Sequence, residues 1–208
     1  MSNPLTGGLD EVGTGAWCGL YLSCITVFDQ RGLALLPPGV TDSKKVSKET
    51  REALFMPIVG AALDVGFGHA WPWEIDDLSP SVALQLSYTR ALADLKFKPD
   101  ILYVDGINHV RTWKGRQVVE PKGDLRYREV SAASILAKVS RDRAMGDLHK
   151  KFPAYDWASN KGYGSQSHED AIHRLGLIVG EKTPMAYIHR RRYCQKVLLR
   201  GVKNGPSP

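Results

Sequence analysis

Residues 101–106, Ile-Leu-Tyr-Val-Asp-Gly, form a short apolar run that ends on an acid and a glycine. Such a run, stopped by a turn pair, predicts a buried strand with a carboxylate at its exit. Upstream, Val82, Leu86, the Ala91/Leu92 pair and Leu95 recur at helical spacing and stop before Pro99. Downstream, Val118-Val119 predicts a further short strand, and residues 132–151 are the longest helical candidate, closed by Pro153. The small residues Ala132, Ala133, Ser134 and Ala137 suit that helix to close packing.

Working outward, residues 19–28 (GLYLSCITVF) read as a mostly buried strand that stops at Asp29-Gln30-Arg31-Gly32. Residues 63–70 predict a strand weakened by two glycines. Ser47 can cap a helix through Leu54, which Pro57 should kink or end. A last helix is expected over 167–175, with Gly176 as its stop. Strands come early and then alternate with helices, which predicts an α/β domain with a mixed sheet flanked by helices. The expected organisation is one domain over residues 1–208, with a short, basic, flexible tail from about 195.

The net charge is +6, but its distribution says more. No acid follows Glu181, whereas Lys182, Arg190, Arg191, Arg192, Lys196, Arg200 and Lys203 all do. A one-signed end favours a polyanionic partner, because neutralised phosphates release counterions; a solvated tail that aids solubility reads equally well from charge alone. Cys18, Cys24 and Cys194 form no CxxC pair and no zinc-ligand spacing, which argues for a reducing compartment. The start, Met1-Ser2-Asn3-Pro4, lacks a secretory pattern, and no apolar run is long enough to span a bilayer. A cytoplasmic protein without membrane association is expected, as a monomer by default.

The acids carry the chemical reading. Asp10-Glu11 lies beside glycines, Asp105 ends the buried strand, and Asp124 follows Lys122-Gly123 at an expected strand exit. Open α/β sheets place sites where strands end, so three segments could deliver carboxylates to one place. Their mutual repulsion calls for a hard divalent cation; two ions about 4 Å apart can activate a water and stabilise a leaving phosphodiester oxygen. Each acid also has a plain reading, since Asp-Gly at a strand end is commonly just a turn. Adjacent residues of a strand face opposite ways, so Asp10 and Glu11 share a site only if the strand is ending there.

Several blocks in order resemble the type 2 ribonucleases H. Gly8-Leu9-Asp10-Glu11-Val12-Gly13 resembles the family's G-x-D-E-x-G opening, and Asp42-Ser43-Lys44-Lys45 with Ser47 resembles its D-S-K-K-x-S block. Val104-Asp105-Gly106 and Lys122-Gly123-Asp124 match its later acidic motifs. Residues 131–139 (SAASILAKV), continued by Arg141-Asp142-Arg143, resemble its signature helix, and Tyr155, Lys161-Gly162-Tyr163-Gly164, His168 and His189-Arg190-Arg191 follow in order.

The resemblance implies a ribonuclease H-like fold and endonucleolytic hydrolysis of the RNA strand of RNA–DNA hybrids, giving 3′-hydroxyl and 5′-phosphate ends. It implies Asp10, Glu11, Asp105 and Asp124 as catalytic ligands of two Mg²⁺ or Mn²⁺ ions. Asp142 is the rival to Asp124, but it sits between two arginines and one turn from Lys138, which favours an ion-pair role. Substrate contacts are expected from Gly13, Thr14 and Gly15, from Lys44, and from Tyr163, which resembles the family tyrosine that stacks near the RNA-to-DNA junction. A type 3 enzyme would carry a further N-terminal domain, for which the residues before Asp10 leave no room.

One departure stands out. The family's Gly-Arg-Gly is Gly13-Thr14-Gly15 here, and a threonine hydroxyl neither neutralises a phosphate nor reaches as far as a guanidinium. Hybrid cleavage is therefore the expected activity, and incision at a single ribonucleotide embedded in DNA is the one that Thr14 places in question. The rival from another class is a catalytically silent hybrid-binding protein, which would not need four acids facing a phosphate backbone.

Overall fold

The computed structural model describes residues 3–41, 43 and 45–203. Its elements run β1 (Thr6–Val12), β2 (Tyr21–Phe28), α1 (Gln30–Leu35), α2 (Lys48–Ala61), β3 (Asp64–Ala70), α3 (Pro72–Asp77), α4 (Pro80–Asp94), β4 (Ile101–Asp105), β5 (Arg116–Glu120), α5 (Arg128–Lys151), α6 (Trp157–Asn160), α7 (Gln166–Leu175) and α8 (Arg191–Lys203). The chain forms two compact units.

The first unit comprises the described residues up to Val12, Leu22–His69 and Leu84–Ser140. It holds a five-stranded sheet in the order β3-β2-β1-β4-β5. β1 runs antiparallel to β2 and parallel to β4, and β4 is parallel to β5, so the sheet is mixed as expected. Cys24 and Phe28 on one sheet face pack with Ala132, Ile135, Leu136 and Val139 of α5 and with Ile58 of α2. The small residues of α5 work as anticipated. At Gly8 a Cβ would lie 2.1 Å from the Glu129 carbonyl carbon, so only glycine admits the helix this close to β1.

The second unit comprises Gly13–Tyr21, Ala70–Ala83 and the described residues from Arg141 onward. Its core gathers Cys18, Met145, Tyr155, Trp157, Ile172, Ile188 and Cys194. All three cysteines are buried thiols.

Three expectations change. α2 does not end at Leu54 or Pro57 but continues to Ala61. Proline removes the hydrogen bond to the Ala53 carbonyl, and both residues are exposed, so water can take the bond's place. β2 stops before Asp29 as expected, and Asp29 is also the N-cap of α1, accepting from the Gly32 N–H at 2.6 Å. Ser47 caps α2 as expected, accepting from the Thr50 N–H. Where a tail was expected from about residue 195, the chain is helical through Lys203. Arg190, counted with the basic end that was expected either to meet a polyanion or to be solvated, is fully buried.

Candidate active site

β1 and β4 bring two of the predicted acids together in the first unit. Their register pairs Leu9 with Val104, and one step further stand Asp10 and Asp105. Parallel neighbours in register share a face, and this is the α5 face, where Gly8 meets Glu129 and Tyr103 stacks on Tyr127 with ring centroids 4.1 Å apart. Asp105 accepts from the Gly123 N–H at 2.8 Å, so the segment that carries Asp124 is tied to the strand end. Asp124 is not in an open loop as expected. It lies buried in a short 3-10 turn (Gly123–Leu125), and its own carbonyl accepts from the Ser131 hydroxyl at 2.6 Å.

Strand alternation separates Asp10 from Glu11. β1 does not stop at Asp10; Glu11 pairs with Ser23 and Val12 with Leu22. Asp10 faces α5 and is hydrogen-bonded by Ser134, while Glu11 accepts from the phenol of Tyr88 on α4 at 2.7 Å. Ser134 in turn bonds Ser43 at 2.8 Å, which gives the serine of the D-S-K-K block a place next to the site. Asp42 and Lys44 of that block lie outside the described residues, and Lys45 is exposed.

The electrostatics match the crowding. Burial, then the neighbouring Glu11 and, to a lesser degree, Asp105 push the Asp10 carboxyl up to about 8, against the lowering pull of Ser134. Tyr88 is pushed well above its ordinary value by burial and by Glu11, with Asp10 and Asp105 also contributing, so it is a firm proton donor. Among the described residues no three His, Cys, Asp or Glu side chains are already gathered in a metal-holding arrangement. The donors at this end of the sheet are nonetheless all oxygens with surplus negative charge. That chemistry fits a hard divalent ion that keeps part of its water shell.

The remaining predicted residues belong to the second unit. Gly13 has φ +91°, and the turn closes by an Ala16 N–H bond to the Gly13 carbonyl at 3.1 Å. Thr14 is half-buried and Gly15 exposed. Tyr163 is 36 % exposed and lies beside Gly15, whose Cβ position would be 4.0 Å from the Tyr163 ring. Arg141 belongs to the same region. Its guanidinium donates to the carbonyls of Leu20, Cys18 and Lys161 and lies 5.3 Å from the Tyr163 ring centre.

Tyr88 lies outside every motif quoted above, and Ser43, Ser134, Arg141 and Arg190 lie inside those motifs without a role being assigned to them. Tyr88 had a usable signal: it recurs with Leu84, Ala91 and Leu92 on the apolar face of α4, and a buried phenol needs a partner.

Comparison with known proteins follows the same outline. The family profile described as Ribonuclease HII matches residues 7–196. A ribonuclease HII of Prochlorococcus marinus (strain MIT 9215) is 40 % identical over 190 residues, covering 91 % of this chain and 89 % of the relative. The crystal structure of ribonuclease H2 from Pyrococcus horikoshii OT3 aligns with a TM-score of 0.79 at 28 % identity, over 96 % of this chain and 100 % of that one. Bst-RNase HIII in complex with Mn²⁺ shares the fold, with a TM-score of 0.74 at 17 % identity over 98 % of this chain and 72 % of that one.

Proposed function

This chain belongs to the ribonuclease HII family, hydrolytic endoribonucleases, and we propose that it cuts the RNA strand of RNA–DNA hybrids through a two-metal site, leaving 3′-hydroxyl and 5′-phosphate ends. Asp10, Asp105 and Asp124 would hold two divalent ions, Mg²⁺ or Mn²⁺, and Glu11 would join them around the end of β1, which falls one residue on at Val12. When bound, those ions supply an activated water and stabilise the departing oxygen.

The observation that carries the reading is the Asp10 carboxyl, set beside Asp105 by the strand register and raised to about 8 by burial and by the neighbouring carboxylates. A protein gains nothing from such a group unless a cation offsets the repulsion, and a Mn²⁺ complex in a protein of the same fold is in keeping with that. The chain's own residues have separate tasks. Asp10 would hold a metal ion as its carboxylate, the form that the Ser134 hydrogen bond favours. Tyr88 fixes one oxygen of Glu11. The Gly123 N–H fixes one oxygen of Asp105.

Recognition of the duplex falls to the second unit. The Gly13–Thr14–Gly15 turn, free of long side chains, admits the sugar–phosphate backbone and its 2′-hydroxyls closely, and Tyr163 offers a ring for stacking. Lys44, outside the described residues, is proposed as a phosphate contact.

The test is Mg²⁺-dependent cleavage of a labelled RNA–DNA hybrid by the wild type, Asp105→Asn and Asp124→Asn, with products resolved by end chemistry. Cleavage by the wild type alone, with 5′-phosphate products, is expected. Near-normal cutting by Asp124→Asn would remove that residue from the ligand set and bring Asp142 forward. Binding without cleavage by the wild type, in Mg²⁺ and in Mn²⁺, would overturn the reading.

A further inference from the structure

We propose that the dipeptide His189-Arg190 is a positioning bracket that fixes the glycine turn and Tyr163 relative to each other, and so sets how the duplex is read. The inference rests on the proposed substrate role of Tyr163 and goes on to name the residues that hold it.

One half of the bracket is Arg190. Its Nε donates to the Gly19 carbonyl at 2.9 Å, and one terminal nitrogen donates to the carbonyls of Gly13 at 2.8 Å and Ala16 at 2.7 Å. The other terminal nitrogen has no hydrogen-bond partner. The guanidinium lies 4.5 Å from the ring centre of Tyr21 and 5.5 Å from that of Tyr193, so its charge is met by two aromatic faces. A planar fork that ties Gly13, Ala16 and Gly19 leaves the turn one shape, and lysine cannot supply that fork.

The other half is His189. Its Nδ1 accepts from the Ile178 N–H at 2.9 Å, which leaves the proton of the neutral ring on Nε2. Nε2 lies 3.4 Å from Nε2 of His168, which also accepts from the Trp157 indole N–H at 3.2 Å. The His168 proton therefore sits on Nδ1, which donates to the Tyr163 carbonyl at 3.0 Å. Both rings are fully buried and both are satisfied as neutral species. The main chain closes the bracket, since the Arg190 N–H bonds the Trp17 carbonyl at 2.9 Å and Cys18 pairs with His189.

Consecutive residues thus end at the two places where the second unit is proposed to touch nucleic acid. A merely structural role would weaken the fold without regard to Tyr163. A positioning role makes the two positions depend on each other, and a double-mutant cycle separates these cases.

The experiment measures kcat/KM on an RNA–DNA hybrid for wild type, His189→Gln, Tyr163→Ala and the double variant, with thermal unfolding in parallel. His168→Gln breaks the same link and serves if His189→Gln does not fold. Loss of alignment should cost His189→Gln about tenfold to a hundredfold with Tyr163 present. It should cost little more in the Tyr163→Ala background, and the Mg²⁺ concentration for half-maximal rate should not move. Arg190→Lys should lose activity in both backgrounds, because it also releases the turn. Equal losses from His189→Gln in both backgrounds, or none in either, would overturn the bracket. A wild type that leaves hybrids uncut would instead overturn the proposed function, before any variant is compared.

Discussion

The Tyr88 phenol donates to the Glu11 carboxylate at 2.7 Å, from a helix on the sheet face away from Asp10. Since alternation turns Glu11 away from Asp10, this bond is what determines where the Glu11 oxygens lie. Tyr88→Phe keeps the ring in its buried place and removes only the donor. A hydrogen bond to a charged group is worth about 1.5–3 kcal/mol, so cleavage should fall by about tenfold or more. The thermal midpoint should change little, and more Mg²⁺ should be needed for half-maximal rate. Unchanged activity at limiting Mg²⁺ would show that Glu11 needs no such anchor.

Asp10→Asn should abolish cleavage yet stabilise the metal-free protein at alkaline pH. The folded-state value near 8 lies above the ordinary 3.8, so the folded chain holds this proton more firmly than the unfolded chain does. The resulting stability is complete below about pH 4 and is lost as pH rises through 8, at up to about 1.4 kcal/mol per pH unit. Asparagine has no proton to lose. Urea unfolding in EDTA at pH 6 and pH 9 should therefore show the wild type weakening more than the variant, and Mg²⁺ should rescue only the wild type. Parallel losses in the two proteins would contradict the assignment of the strain to Asp10.

Much of this site could be read in the chain, and what could not has physical causes. The acids were legible as candidates only through their number and order, because a single carboxylate at the end of an apolar run such as 101–105 is commonly just a turn residue. Their facing was only partly legible: period-two alternation required Asp10 and Glu11 to diverge, and the strand indeed continues past both. Which helix would meet Glu11 is a tertiary fact. Arg190 was misjudged because charge counting cannot see burial, and its partners Gly13, Ala16 and Gly19 lie about 170 residues away in sequence. Asp29 stops β2 and also caps α1, and only the first role is legible, because the residues that end strands are also those that cap helices. Pro57 was given too much weight, since an exposed turn of helix can lose one hydrogen bond to water at modest cost.

The buried histidine pair gives the second unit an acid-sensitive stability. Burial first, then His168, lowers His189 from 6.5 to about 3, and burial lowers His168 as well. Both rings fold neutral, so their contribution is fully present above about pH 6.5; that of His189 is lost as pH falls towards 3, and that of His168 is lost in the same direction. His189 can contribute up to about 1.4 kcal/mol per pH unit in its window. The urea midpoint should drop between pH 6.5 and 4.5, and His189→Gln should flatten that slope while lowering stability at pH 7.5. An identical slope in the variant would assign the acid sensitivity elsewhere.

Thr14, which stands where the resemblance implies an arginine, is the residue on which the expected specificity turns. It is half-buried in a turn whose shape is set by the Gly13 carbonyl bonds to Ala16 and Arg190, not by its own side chain. Thr14→Arg should therefore leave the turn and the thermal midpoint nearly unchanged. A guanidinium there would add a charge-assisted contact to a phosphate, a type of bond roughly twice as strong as a neutral one. A single ribonucleotide in DNA presents one 2′-hydroxyl where a hybrid presents many, so its incision depends more on each remaining contact. The arginine variant should gain about tenfold in kcat/KM on DNA carrying one ribonucleotide, with a smaller gain on a continuous hybrid. Both gains should shrink as salt is raised, as expected of a contact that displaces a counterion. Equal rates for the wild type and Thr14→Arg on the single-ribonucleotide substrate at low salt would mean that other residues of this chain already supply the contact.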